Sequence, residues 1–345
     1  MENRERAAGE LRVMSFNVLF DTANNPAGQW EQRRPLVRQV IHDWQPDVIG
    51  VQEATPGQLR DLCQDLPEYG VVEGRRSGQS KVPLWIVTLS PLLLGAAAAA
   101  RSRAPKAVSG TLAAAAAVPV LGTAAGLIAS GKSFFRGAYR PVFYRRDRLR
   151  LRESDAFDMA EPIDDPLTLL LGTWLPRTGT RVRLETLDGR AFSLFNVHID
   201  YMRYITRGSI QRLRDYLDAH WDGTPQILTG DFNVDLDSEE CAILLRPNEE
   251  PGMESSWCIA RERLGPEITS HQGLGIDSPH AARADHVMLR PGLPVARVVT
   301  VTDHSDGAYP SDHFPVVVDL CLETTAAGTG VASSTGSSEA SPCPV

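Results

Sequence analysis

The run Val48, Ile49, Gly50 and Val51 limits what this chain can fold into more than any other stretch. It is continuously apolar, lacks the alternation of a half-solvated strand, and is too short for a buried helix. A strand of this kind is covered on both faces, so it belongs inside a layered α/β domain. Gln52 and Glu53 follow at once. A carboxylate at the end of such a strand is costly unless it meets a cation or water.

The surrounding pattern extends the same architecture. Residues 11–17 read as an apolar-rich strand, and Leu36, Val37, Val40, Ile41 and Trp44 recur at helical spacing until Pro46 ends the pattern. A second helix is expected after Pro56, with Leu59, Leu62 and Leu66 inward, before residues 69–73 return to extended structure. Residues 139–151 read as two short strands around a charged turn. Val182 and Leu184, then Asp188 and Gly189, then Phe192, Leu194 and Phe195 predict a hairpin with a tight turn. Ile210, Leu213, Leu217 and Trp221 mark an amphipathic helix, and residues 226–229, 284–289, 295–301 and 315–320 supply further strands.

Polar groups collect where these runs begin and end. They are Asn17, Glu53, His198 with Asp200, Asp231 with Asn233, and Asp312 with His313. Each alone has an ordinary structural explanation: Asp and Asn satisfy their own backbone in turns, and a single histidine is commonly a hydrogen-bonded core residue. Repetition at several strand ends is harder to explain that way. Delivery of such groups to one sheet edge, by parallel strands, is how a layered α/β protein builds a site. Asp231 and Asn233 are two residues apart and share a face if extended, giving a carboxylate beside an amide. Asp285 precedes a strand and could accept a hydrogen bond from His313, fixing its tautomer.

The remaining features narrow the setting. A formal net charge of −8 gives no general drive toward nucleic acid or anionic lipid. The five cysteines are dispersed without CxxC or zinc-ligand spacing, which suits a reducing compartment. The first ten residues are charged and lack the apolar stretch of a secretory signal. Residues 82–100 and 111–130 carry no charge and approach the ~20 residues a membrane-crossing helix needs. Basic residues flank both segments, and the outer ones lean slightly toward a cytoplasmic globular part. Their richness in Ala, with Pro83, Pro91 and Pro119, keeps open a packed helical hairpin or a partly disordered insert. The expected organisation is a catalytic domain over 11–81 and 136–322, an apolar hairpin insert over 82–131 and a disordered tail over 323–345. The chain would then be membrane-associated with a cytoplasmic domain, or cytoplasmic.

MSFNVL around Asn17, VIGVQEA around Glu53, FNVHID around His198, LTGDFNVD around Asp231 and YPSDHFPVVVDL around His313 occur in an order and spacing that resembles the endonuclease/exonuclease/phosphatase superfamily. The resemblance covers residues 11–75 and 138–321 and implies a four-layered α/β sandwich with two central, mainly antiparallel sheets. It also implies phosphoester hydrolysis with Mg²⁺, or Mn²⁺, as cofactor. Carried onto these positions, Glu53 would bind metal with Asn17 and Asp312. His198 and Asn233 would contact the scissile phosphate, alongside Asn17, Tyr201 and Arg203. Asp231 would orient or deprotonate water, and His313, held by Asp285, would stabilise the transition state or act as base. The family commonly has an aromatic residue after the aspartate matched by Asp285, whereas His286 stands here.

A phospholipid or phosphoinositide suits an enzyme beside a bilayer. Nucleic acid would suit Arg145, Arg146, Arg148, Arg150 and Arg152, or the interleaved Tyr201, Arg203, Tyr204 and Arg207. Whether the bond cut is a mono- or diester, and the oligomeric state, stay open. The competing reading is a catalytically silent, membrane-anchored binding module of the same fold.

Overall fold

A computed structural model describes residues 9–21, 28–76, 137–159, 178–199, 203–245, 252–271, 282–290 and 293–322. The insert at 82–131 and the tail at 323–345 lie outside these. Among the described residues no helix is long and apolar enough to cross a membrane.

Two mixed sheets form the centre. The first takes β1 (Glu10–Asn17), β2 (Val48–Gln52), β3 (Tyr69–Val72), β4 (Val142–Arg145), β10 (Glu262–Leu264), β12 (Val295–Thr300) and β13 (Val316–Cys321), in the order β10-β12-β13-β1-β2-β4-β3. The second takes β5 (Leu149–Asp158), β6 (Thr178–Thr186), β7 (Ala191–His198), β8 (Gln226–Asp231), β9 (Glu254–Ser255) and β11 (Asp285–Arg290), in the order β5-β6-β7-β8-β11-β9. Most neighbours are antiparallel; β1 with β2, β7 with β8 and β10 with β12 are parallel.

Neighbouring residues on one strand enter different apolar layers, which is why the inner runs do not alternate with polar residues. Val13, Val48, Leu194 and Ile227 face the space between the sheets. Met14, Phe16, Ile49 and Val51 instead pack against α1 (Trp30–Trp44) and α2 (Pro56–Asp65). Phe195 and Leu228 pack against α3 (Arg203–Ala219) and α4 (Glu239–Leu245), while α5 (Ser256–Ile259) is one short turn. Three apolar interfaces thus separate four layers, helices outside and sheets inside.

Several helix ends match their local chemistry. Gln45 takes a left-handed conformation just after Trp44, so α1 stops before Pro46. Thr55 and Gln58 form a reciprocal capping box with Pro56 at the first helical position of α2. Trp221 does not extend α3 as its spacing predicts. The chain tightens there, with Trp221 N–H donating to Asp218 O, and the indole lies under the Arg290 guanidinium.

The arginine-rich segment differs in place from a substrate groove. β4 and β5 belong to different sheets, so residues 146–148 carry the chain from one sheet to the other. Val48 pairs with Tyr144, which puts that turn at the start of β2, whereas Glu53 follows its end. At ~3.3 Å per residue the two are roughly 17 Å apart. Arg145, Arg148 and Arg152 are in ion pairs with Asp147, Asp47 and Glu185. The segment is a sheet-to-sheet connection with paired charge, on the edge away from Glu53.

Buried polar groups hold the two sheets together under the opposite edge, the one that carries Glu53. Gln52 on β2 donates to Asn196 Oδ1 on β7 at 2.7 Å, and Asn196 Nδ2 donates back to Val51 O at 2.8 Å. Gly50 makes this approach possible, because a Cβ there would fall 2.7 Å from Asn196 Oδ1 and closer still to Thr229 Oγ1. Gly50→Ala should therefore cost about 1–3 kcal/mol by forcing the sheets apart, read from the midpoint of urea unfolding. A midpoint equal to wild type would show that the sheets are not held at this spacing.

Candidate active site

Delivery to the site is not parallel throughout. β1, β2, β7 and β8 run toward one edge and end there, while the antiparallel β11 and β13 start there. Strand ends carrying Asn17, Glu53, His198 and Asp231 therefore meet strand starts carrying Asp285 and His313. His198 and Asp231 are register partners across β7 and β8, and Asp231 is directly opposite Asp285 across β8 and β11. Facing carboxylates repel, and these are 1% and 3% exposed.

His313 answers that repulsion. Its Nδ1 lies 2.7 Å from Asp285 Oδ2 and its Nε2 lies 3.8 Å from Asp231 Oδ2, so the ring sits between the two acids. Burial would lower the imidazole pKa, but Asp285 and Asp231 outweigh it and raise it well above the ordinary value. Nδ1–H donates to Asp285, which fixes the ring and leaves Nε2 toward Asp231. Asp285 Oδ1 is buried with no hydrogen-bond partner among the described residues.

The other polar groups converge on Asp231. Asn17 Nδ2 donates to its Oδ2 at 2.9 Å, and the Asn233 N–H donates to its Oδ1 at 2.9 Å. Asn233 Nδ2 donates to Ile199 O at 2.9 Å and lies 3.2 Å from His198 Nε2. His198 Nε2 is 3.5 Å from Asp231 Oδ2 and 3.8 Å from Glu53 Oε1. Glu53 Oε2 accepts the Phe20 N–H at 3.1 Å. Both Glu53 (φ 65°) and Asn233 (φ 54°) adopt left-handed backbone, a conformation more strained for glutamate than for asparagine.

Burial raises the Asp231 carboxyl from 3.8 to about 7, with Asp285 and Glu53 adding to the rise and His313 opposing it. Burial also raises Glu53, with Asp312 adding to it. In both acids burial outweighs the His313 charge nearby. Donor atoms of Glu53, His198 and Asp231 lie within 4.8 Å of one another, as do those of Asp231, Asp285 and His313. Such residues fit a divalent cation, and the carboxylates favour a hard one.

Asn17, Glu53, His198, Asp231, Asn233, Asp285 and His313 are thus brought together. Asp312 lies beside them, near enough to raise Glu53, and its carboxylate accepts from Ser311 Oγ at 3.3 Å. Asp200, Tyr201 and the Arg203 side chain lie outside the described residues. His286 fills the place where an aromatic residue is common: it is buried edge-on to Phe232, and its Nε2 is 3.0 Å from Val234 O.

The supporting residues were the hardest to foresee. Ser311 Oγ donates to Asn17 O at 2.6 Å and accepts the His313 N–H at 3.2 Å, tying β1 to the histidine. Thr269 Oγ1 accepts the N–H groups of Ala284 and Asp285, both at 2.9 Å. Gln58 Nε2 donates to Leu19 O at 2.9 Å while its Oε1 accepts from Asp21. Arg33 lies in phase with Val37, Val40, Ile41 and Trp44 on the buried stripe of α1, a signal readable in the sequence.

Residues 14–313 match the model of the Endonuclease/Exonuclease/phosphatase family, and the chain belongs to that family. The structure is similar to an endonuclease/exonuclease/phosphatase from Bacteroides vulgatus at 23% identity and a TM-score of 0.67, covering 91% of this chain and 99% of that one. It is also similar to a mannosyl-6-phosphatase from Bacteroides thetaiotaomicron (24% identity, TM-score 0.64, 90% and 99% covered). A third similar structure is D. rerio TDP2 complexed with single-strand DNA product (15%, 0.57, 90% and 98%). No curated protein matches the sequence.

Because Asp231 keeps its proton when folded between 3.8 and about 7, folding takes up protons in that range. Stability should therefore fall as pH rises through it. The raised pKa of His313 acts in the same direction above the ordinary histidine value. In a chelator, the thermal midpoint should drop between pH 4 and pH 7, and Asp231→Asn should shrink that drop. An unchanged slope in the variant would show that Asp231 is not held protonated.

Proposed function

We propose that the chain is a divalent-cation-dependent phosphoester hydrolase in which water attacks phosphorus directly. The observation that carries this reading is the alignment of Asp285, His313 and Asp231 next to His198 and Asn233, all at one edge with Glu53. Among the described residues no serine, threonine or cysteine side chain bonds to the side chains of Asp231, Asn233 or His313.

Each residue has a role its surroundings support. Asp231, held by Asn17 and the Asn233 amide, has a pKa of about 7 and orients the attacking water and takes its proton. His198 and Asn233 donate to phosphoryl oxygens, with Tyr201 and Arg203 extending the substrate contact. His313 is cationic and fixed by Asp285, so it stabilises the charge that builds on phosphorus. Glu53, with Asn17 and Asp312, would hold Mg²⁺ or Mn²⁺. That cation, when bound, supplies charge neutralisation at the phosphoryl group.

For the substrate, the paired charges and remote position of the arginine segment remove the main support for a nucleic-acid groove there. A phosphate ester of a sugar, the class named for the similar mannosyl-6-phosphatase, is the better-supported substrate. Purified protein should be assayed on phosphomonoesters and phosphodiesters, with nucleic acids and phospholipid vesicles included, in Mg²⁺ and in chelator. Turnover should need Mg²⁺ and should fall at least ~100-fold in Glu53→Ala, His313→Ala and Asp285→Asn. Hydrolysis that persists in chelator, or that survives Glu53→Ala and His313→Ala, would sink the assignment.

A further inference from the structure

Arg33 is 1% exposed, yet among the described residues its guanidinium bonds to no carboxylate. Its side chain reaches back toward the start of α1 and donates to four main-chain carbonyls. Nε donates to Gly28 O at 3.0 Å and one terminal nitrogen to Val18 O at 2.6 Å and Pro310 O at 3.0 Å. The other terminal nitrogen donates to Leu19 O at 2.8 Å. Val18 and Leu19 follow Asn17, and Pro310 precedes Ser311, Asp312 and His313.

A single planar fork therefore joins the two loops that flank the acids. The first loop is also the one whose Phe20 N–H holds Glu53, and it contains Leu19 in left-handed backbone (φ 52°), a strained conformation for a leucine. Gln58 shares the Leu19 carbonyl with Arg33. Burial pulls the guanidinium down to about 10, so it stays charged at neutral pH, and Asp312, Asp21 and Glu53 are close enough to favour that charge. Arginine suits this role because its donors diverge in a rigid plane; lysine would keep the charge and lose the fork.

We infer that Arg33 is a positioning residue for the cation site: by locking residues 18–20 to residues 310–312 it sets the spacing of Asn17, Glu53 and Asp312. This rests on the reading that Glu53 belongs to a cation site. Groups behind metal ligands commonly change metal affinity 10–100-fold when replaced.

The test is Mn²⁺ binding to the full chain by isothermal titration calorimetry, with no substrate present, in wild type, Arg33→Lys, Arg33→Met and Arg290→Lys. Arg290 is an equally buried arginine bonded to Gln226 and Asp218 in the second sheet, and it controls for loss of stability alone. Arg33→Lys should weaken Mn²⁺ binding ~10-fold and Arg33→Met up to ~100-fold. Arg290→Lys should bind as wild type even where its thermal midpoint falls. Wild-type affinity in both Arg33 variants would overturn the proposal. Should neither variant fold, amide exchange of the wild type decides: Mn²⁺ should protect Leu19 and Phe20 together with Asp312 and His313, and protection of one loop alone overturns the coupling. No Mn²⁺ binding by wild type would sink the cation reading itself, and the proposal with it.

Discussion

Asp231 and Asp285 stand directly opposite one another at the end of an antiparallel ladder, both almost wholly buried, and the rest of the site is organised around that repulsion. Like charges in this arrangement are tolerated only when a cation lies between them or a proton neutralises one. His313 supplies the first and the raised pKa of Asp231 shows the second. His313 can stay between them only if the start of β13 is fixed. Ser311 fixes it to Asn17, and Arg33 fixes Pro310 to the loop after β1. A local electrostatic problem at one register position thus explains contacts that run from α1 to β13.

Topology decides why the problem arises at this edge. Two parallel pairs, β1 with β2 and β7 with β8, lie in different sheets and end side by side. Gln52 and Asn196 make polar contacts across the sheets just beneath, Thr229 bonds to Asn196 within the second sheet, and Gly50 permits the approach. Buried amides in an otherwise apolar interface are costly unless they find each other, so these contacts admit one relative placement of the sheets. Fixing that placement also fixes how far Glu53 on one sheet lies from His198 and Asp231 on the other. Sheet packing and site geometry are therefore one constraint.

Much of this was legible in the sequence because strand ends carry a simple signal. An apolar run that stops at Glu53, or at Asp231 and Asn233, marks both a buried strand and its polar terminus, and the converging motifs identified the family. Short elements such as β9 and β10 have too few residues to show a period. The arginine run at 145–152 looked like a binding stripe because its partners, Asp47 and Glu185, are distant in sequence and reach it only through the fold. Arg33 and Gln58 were missed for a different reason. Their phase and capping pattern were visible, but their partners are backbone carbonyls and amides, which leave no mark in a sequence.

The connections at the two edges extend the same logic. Ala54, next to Glu53, accepts a backbone hydrogen bond from Tyr139 at 2.8 Å, so the chain re-enters after residue 136 on the edge that holds the site. Asp158 and Thr178, register partners at the start of β6, lie on either side of residues 160–177, two residues before the Thr180–Asn196 pair. His198 is followed by 200–202, and His271, whose N–H donates to Asp312 O, precedes 272–281. The opposite edge instead carries short turns such as 146–148 and 187–190. Asn17, Glu53, His198, Asp231 and Asp285 themselves sit at the ends of paired strands, where the ladder hydrogen bonds fix their spacing.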